Sequence, residues 1–204
     1  MNNNIDEIII IQKYYRRYLI RKNILIPSSY YQTKNWRKNK KWYKKGKSNE
    51  CEIYQINLIE KIINIKLNKT NDRINTETNN IIDNRNPLVN SDGYEWTENF
   101  DGKIIKNEII YYFNLKFVCD SGGSQTRSLR EVYHFIKYQL EYLLIFKISN
   151  VYFINILDGN TCYNNMEKYK YLINKQKYEN IKKYIFVGDT YEFQINKIKL
   201  LLRN

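Results

Sequence analysis

Asp101, Asn114 and Lys116 are the residues whose types and spacing could do chemistry together. In "YYFNLKFVC" (111–119) strand alternation puts Asn114 and Lys116 on one face and Phe113, Leu115 and Phe117 on the other. In "GYEWTENFDGKI" (93–104) Thr97, Asn99 and Asp101 share one face, and Trp96 and Phe100 the opposite one. If these β-rich runs pair as a hairpin, Asp101, Asn114 and Lys116 converge across the sheet. An ammonium in a half-buried strand is costly unless it meets anions. Asp101 supplies one anion, and a metal-bound phosphate would supply another. His134, the single histidine, sits in an apolar helical run and reads as a packed or hydrogen-bonded core residue rather than a general base.

The elements that must hold these groups follow from periodicity. "NECEIYQINLIEKIINIKL" (49–67) is expected as a helix, with Ile53, Ile56, Ile59 or Glu60, and Ile63 at helical spacing. The Asn-rich stretch 68–86 reads as loop. "SLREVYHFIKYQLEYLLIF" (128–146) is a long helix, and "NVYFINIL" (150–157), ended by Asp158-Gly159, has the form of a buried strand. A helix over 165–175 and a strand over 182–189 complete the pattern. This order gives an α/β fold, a mixed central sheet flanked by helices and buried at its centre.

Between the Lys116 strand and the long helix lies "SGGSQTR". Its glycines let backbone approach a phosphate or base, and Gln125, Arg127 and Arg130 suit base or backbone contacts to DNA. The alternative is a tight turn in which Ser124 or Ser128 caps the helix and Arg130 pairs with a carboxylate.

The net charge of +13 is concentrated at one end. Residues 1–50 hold thirteen Lys/Arg against Asp6, Glu7 and Glu50 (+10), and the rest twenty-one against eighteen (+3). The chain therefore divides into a basic arm (1–48) and a body (49–204), and the arm favours a polyanionic partner. In "KNWRKNKKWYKKGK" (34–47), Arg37, Lys40 and Lys41 alternate with Trp36 and Trp42. Cations neutralise phosphates and aromatic planes stack on bases, or else the tryptophans anchor a solvated basic loop to the core.

Cys51, Cys119 and Cys162 are odd in number and lack C-x-x-C spacing, so structural thiols in a reduced intracellular protein are expected, in cytoplasm, nucleus or virion alike. With one histidine no zinc cluster is expected. No apolar run is long enough to span a bilayer, and the first residues lack the charged start of a secretory signal, so no membrane partner is expected. The abundance of Asn, Ile, Lys and Tyr suggests an AT-rich coding sequence, as in some large DNA viruses and parasites, so Asn-rich runs carry no functional weight.

Two resemblances attach to these residues. "IDEIIIIQKYYRRYLIRKNI" (5–24) is an amphipathic helix, with Ile8, Ile11, Tyr15, Tyr18 and Leu19 near one face. Its Ile11-Gln12, Arg16, Arg21 and Ile24 resemble an IQ motif, with Arg17 where that family prefers Gly, and this implies a calmodulin-like partner. DNA binding, or packing on the body, are the other uses of such a helix.

From the helix near Glu52 to the strand near Ile185, the chain resembles the PD-(D/E)XK nucleases, especially type II restriction endonucleases. "SGGSQTRSLREVY" and "FINILDG" are similar to phrases in GATC-cutting restriction enzymes and in nuclease-like proteins of large DNA viruses. The resemblance implies a restriction-endonuclease-like core and sequence-specific, metal-dependent cleavage of double-stranded DNA. It makes Asp101 the first acidic ligand, places Asn114 at the second acidic position, and makes the Leu115 carbonyl a backbone ligand. Lys116 would orient the attacking water and stabilise the pentacovalent phosphorus. Glu52, with Glu50 beside it, would complete the site, and Mg²⁺, with Mn²⁺ as a substitute, suits such oxygen ligands. A homodimer, one site per strand, is also implied. Asn114 departs from the pattern because an amide offers no charge. It stands for a working variant, for a non-catalytic DNA binder, or for a deliberate Asp→Asn change that traps substrate; otherwise Asn114 is simply an inward polar residue in an Asn-rich chain.

Overall fold

The computed structural model describes residues 27–44, 49–83, 94–120 and 122–201. The expected IQ helix and residues 45–48 of the basic arm lie outside them. A four-stranded mixed sheet runs β3 (Gly102–Lys106), β4 (Ile109–Phe117), β5 (Val151–Asp158) and β6 (Ile185–Gly188) from edge to edge. β3 and β4 are antiparallel, while β4, β5 and β6 are mutually parallel. The β3–β4 hairpin turns at Asn107-Glu108, both at positive φ (51° and 64°), as the twist of a two-residue hairpin demands.

Helices cover both faces. On one lie α2 (Glu50–Ile63) and α5 (Thr190–Leu201), where Leu58, Ile59 and Phe193 meet Phe113, Leu115, Ile154 and Ile156. On the other lie α3 (Gly123–Phe146) and α4 (Asn160–Ile173), whose Phe135, Ile136, Leu140, Met166 and Tyr169 meet Tyr112, Phe153 and Leu157. The long run from Val151 is buried at every position but the half-buried Tyr152, because helices cover both its faces. The expected α/β class and the facing of β4 both hold.

Three details differ from the sequence expectation. The inward face of α2 is Gln55, Leu58, Ile59 and Ile62, whereas Ile53 is exposed. The Asn-rich stretch is not all loop: β1 (Asp72–Ile74) and β2 (Ile81–Asp83) pair antiparallel, and Ile74 enters the core. Residues 97–101 form no ladder, so their alternation does not follow a strand.

The arm is no free tail over residues 27–44. A 3₁₀ turn (Ser29–Tyr31) leads to α1 (Lys34–Lys38), capped by Thr33, whose hydroxyl accepts from the Trp36 N–H. Trp36 stacks on Phe117 at 6.2 Å, and Trp42 stacks on Tyr54 of α2 at 4.3 Å. Ser29 is tied to the carboxyl ends of β5 and β6: its N–H donates to Asp189 and its hydroxyl to Asp158. Asp158 is fully buried and also accepts from the Gln55 amide and from the Thr190 N–H and hydroxyl. Burial raises its pKa and these donors oppose the rise. Gly159 next to it is at φ 91°, and a Cβ there would clash with the Val118 carbonyl, so only glycine fits this strand-to-helix turn.

Candidate functional site

β3 begins at Gly102, so the ladder it makes with β4 runs out where β4 reaches Asn114 to Phe117. A side chain takes its place. The Asp101 carboxylate accepts from the Leu115 N–H at 2.6 Å, while the Asp101 N–H donates to the Phe113 carbonyl. In such a ladder the N–H and C=O of one residue face the same neighbour. The Leu115 carbonyl is therefore on the Asp101 side of the strand.

Burial pushes the Asp101 carboxyl up to about 7; the Leu115 N–H opposes this, Glu52 adds to it, Lys116 opposes it and Glu98 adds to it. The same four groups therefore share one electrostatic neighbourhood. Lys116 Nζ is 3.0 Å from the Glu98 carboxylate, which is itself half exposed. Lys116, which the spacing places near Asp101, and Glu52, which only the resemblance implied, both act on the Asp101 carboxyl. Glu98 is the member the sequence reading missed, because strand alternation assigned Thr97, Asn99 and Asp101 to the site face. Glu50 is buried in the first turn of α2, and neither carboxylate oxygen has a hydrogen-bond partner among the described residues.

Asn114 does not join this group. It is 2% exposed, and its Nδ2 donates to Asn155 Oδ1 on β5 at 2.8 Å. Asn155 is bonded in both directions to Gln139 of α3 (2.7 and 3.1 Å), and its Nδ2 also reaches the Phe186 carbonyl. The amide that looked like a weakened ligand is one rung of a buried amide ladder between β4, β5 and α3. Gln139 is another rung.

The Asn114 Nδ2 is thus engaged by β5 rather than by Asp101. Among the described residues no group of three or more His, Cys, Asp and Glu side chains is placed to hold a metal ion. Of the oxygen ligands implied by the resemblance, the Asp101 carboxylate and the Leu115 carbonyl lie on one side of β4, while the Asn114 Nδ2 is engaged by Asn155.

The DNA-contact residues divide. Gln125 lines a small polar cleft beside Phe117, Cys119 and Asp120, and also a larger cleft on its other side. α3 begins at Gly123 with no side-chain cap, so neither Ser124 nor Ser128 caps it. Arg127 pairs with Glu131 on the surface, and Arg130 is exposed in the larger cleft. Arg37 and Lys34 both bind Asp120 at 3.0 Å and lower its pKa, against its burial. Lys40 lies over the Trp36 ring, and Lys41 is exposed. Trp36 and Trp42 belong to an aromatic cluster with Tyr54 and Phe117, so they anchor the arm. His134 is exposed rather than packed. All three cysteines are free, and Cys119 and Cys162 are buried. Burial pushes their thiols up to about 11 and about 12, which makes both inert. No helix among the described residues is long and apolar enough to cross a membrane.

No curated protein and no solved structure matches this chain, so the nuclease resemblance rests on its residues alone. The family model of the IQ calmodulin-binding motif matches residues 5–25, the segment where Ile11-Gln12 and the two arginines carry that resemblance.

Proposed function

We propose that the body is a DNA endonuclease of the restriction-like class whose reacting groups are Asp101 and Lys116. One observation carries this reading. A carboxyl with a pKa near 7 and an ammonium share the end of the central sheet, beside the start of α3 and the basic arm. A base with this pKa is half ionised at neutral pH and matched to taking a proton from water. Water oxygen then bonds to phosphorus, Asp101 takes its proton, the bond from phosphorus to a sugar oxygen breaks, and solvent protonates that oxygen. Lys116 meets the phosphate by leaving Glu98, an exchange that costs little because an exposed ion pair contributes at most about 1 kcal/mol. Asn114 takes no part, and a homodimer would bring one such centre to each strand.

The test is cleavage of plasmid and genomic DNA with Mg²⁺ or Mn²⁺, comparing the wild type with Asp101→Asn and Lys116→Ala. Discrete fragments that both variants lose support the reading. Intact DNA bound equally by all three proteins overturns hydrolysis and leaves a non-catalytic binder on this scaffold.

A second function is favoured by the IQ match: residues 5–25 bind a calmodulin-like partner. Replacing Ile11 and Gln12 abolishes that complex while leaving the body's stability unchanged. A complex that survives the replacement excludes this segment as the binding site.

A further inference from the structure

A cleft of about 800 Å³ lies away from Asp101, between the first turns of α3 and α4. That is within the range of small-ligand sites. Its chemistry is uneven in an informative way. Leu129 and the buried Tyr169, whose hydroxyl donates to the Leu129 carbonyl, make an apolar floor. Tyr133 and Tyr171 supply aromatic faces, and Tyr171 is 72% exposed, with Lys175 Nζ 5.7 Å from its ring. Two cations stand at the same cleft: Arg130, which is exposed and has no ion pair among the described residues, and Lys168, held by the Asn165 amide oxygen at 2.8 Å. Glu167 lines it too and leaves one net positive charge.

A tyrosine face on which a planar ring stacks, a glutamine side chain that reads a polar edge, and cations that take a phosphate are together the complement of a nucleotide. The geometry points to a nucleotide-binding site in the α3–α4 cleft, in which a base stacks on Tyr171 and its phosphate lies on Arg130 and Lys168. The nucleotide comes either free from solution or from a DNA strand that presents one base out of its stack. Both sources share this chemistry. Gln125 lines this cleft and the polar cleft at the end of β4, so a strand could pass from one to the other.

The site stands apart from Asp101 and Lys116, so it is tested in the full-length Asp101→Asn protein, where binding is read without hydrolysis. One arm titrates dAMP by saturation-transfer NMR; the other follows the fluorescence of 2-aminopurine placed within a duplex. Tyr171→Ala and Lys168→Ala are surface changes that leave the fold intact, which circular dichroism checks. Saturable dAMP binding that weakens about tenfold in both variants establishes a free-nucleotide site. A 2-aminopurine signal that rises with the parent protein and not with the Tyr171 variant establishes a base taken from DNA. If neither probe responds, or both respond equally in parent and variants, the assignment is overturned, whatever the cleavage assay shows.

Discussion

Changing Asn114 to Asp separates a ligand from a core residue. If Asn114 were a ligand robbed of its charge, the change would restore metal-dependent cleavage and, at the surface, alter stability by at most about 0.5 kcal/mol. The structure predicts the reverse. The side chain is 2% exposed, and its Nδ2 donates to Asn155 Oδ1. A carboxylate has no donor, so two oxygens would face one another, and Asn155 cannot turn without releasing the Phe186 carbonyl and reversing its bonds to Gln139. Protonating the new carboxyl restores the donor. At pH 7 that costs about 1.4 kcal/mol for each unit above a normal pKa of about 3.9, or about 4 kcal/mol. Leaving it charged and buried costs about as much. The folded-state pKa is raised, so the penalty is near zero at or below pH 4 and grows as pH rises toward 7. Urea unfolding followed by tryptophan fluorescence at pH 4.5 and 7.5 reads this, with a loss of about 3–5 kcal/mol expected at the higher pH. A variant as stable as wild type at pH 7.5, or one that gains Mg²⁺-dependent cleavage, would refute the ladder as the role of Asn114.

Other expectations follow from the same geometry. Cleavage by the wild type should rise with pH through a midpoint near 7, as the Asp101 carboxyl ionises; a rate flat from pH 5 to 9 excludes it as the base. Because that pKa is raised in the fold, Asp101 lowers stability progressively between pH 4 and 7, so Asp101→Asn should gain up to about 4 kcal/mol at pH 8 and little at pH 4. Urea midpoints at the two pH values check this. Trp42→Ala removes the ring stacked on Tyr54 and should cost about 1–3 kcal/mol without removing a charge, so salt-dependent DNA binding should fall no further than the arm's loosening explains. Asp158→Ala strands donors from Ser29, Gln55 and Thr190 and should destabilise by about 3–5 kcal/mol in the same assay.

The central elements were legible because their signals are physical necessities. The run from Val151 to Asp158 reads as a buried strand because nothing but two covering layers tolerates so many consecutive apolar side chains. The facing of β4 follows from alternation alone. Alternation failed at Thr97 to Asp101, which are not in a ladder, and so Glu98 went unseen although it pairs with Lys116. Asn114 and Lys116 do share a face, but two residues along a strand is about 7 Å, enough to pass from the core to its rim. Sequence gives the face and not the depth. The amide ladder was hidden because its members, Asn114, Gln139 and Asn155, are far apart in the chain and each looks like an ordinary polar residue. Trp36 and Trp42 gave no sign of whether their faces were free, since packing on Phe117 and Tyr54 is a tertiary fact.

The contact of Ser29 with two buried aspartates makes residues 27–44 a fitted part rather than an attachment. A fragment starting at residue 49 would carry an open socket at the carboxyl ends of β5 and β6, with Asp158 and Asp189 robbed of the Ser29 hydroxyl and N–H. A socket of that kind can be refilled. A synthetic peptide of residues 27–44, added to the shortened chain, should dock through the same serine and the same two tryptophans and restore its folding. Such a two-piece protein would switch on only when both halves are present.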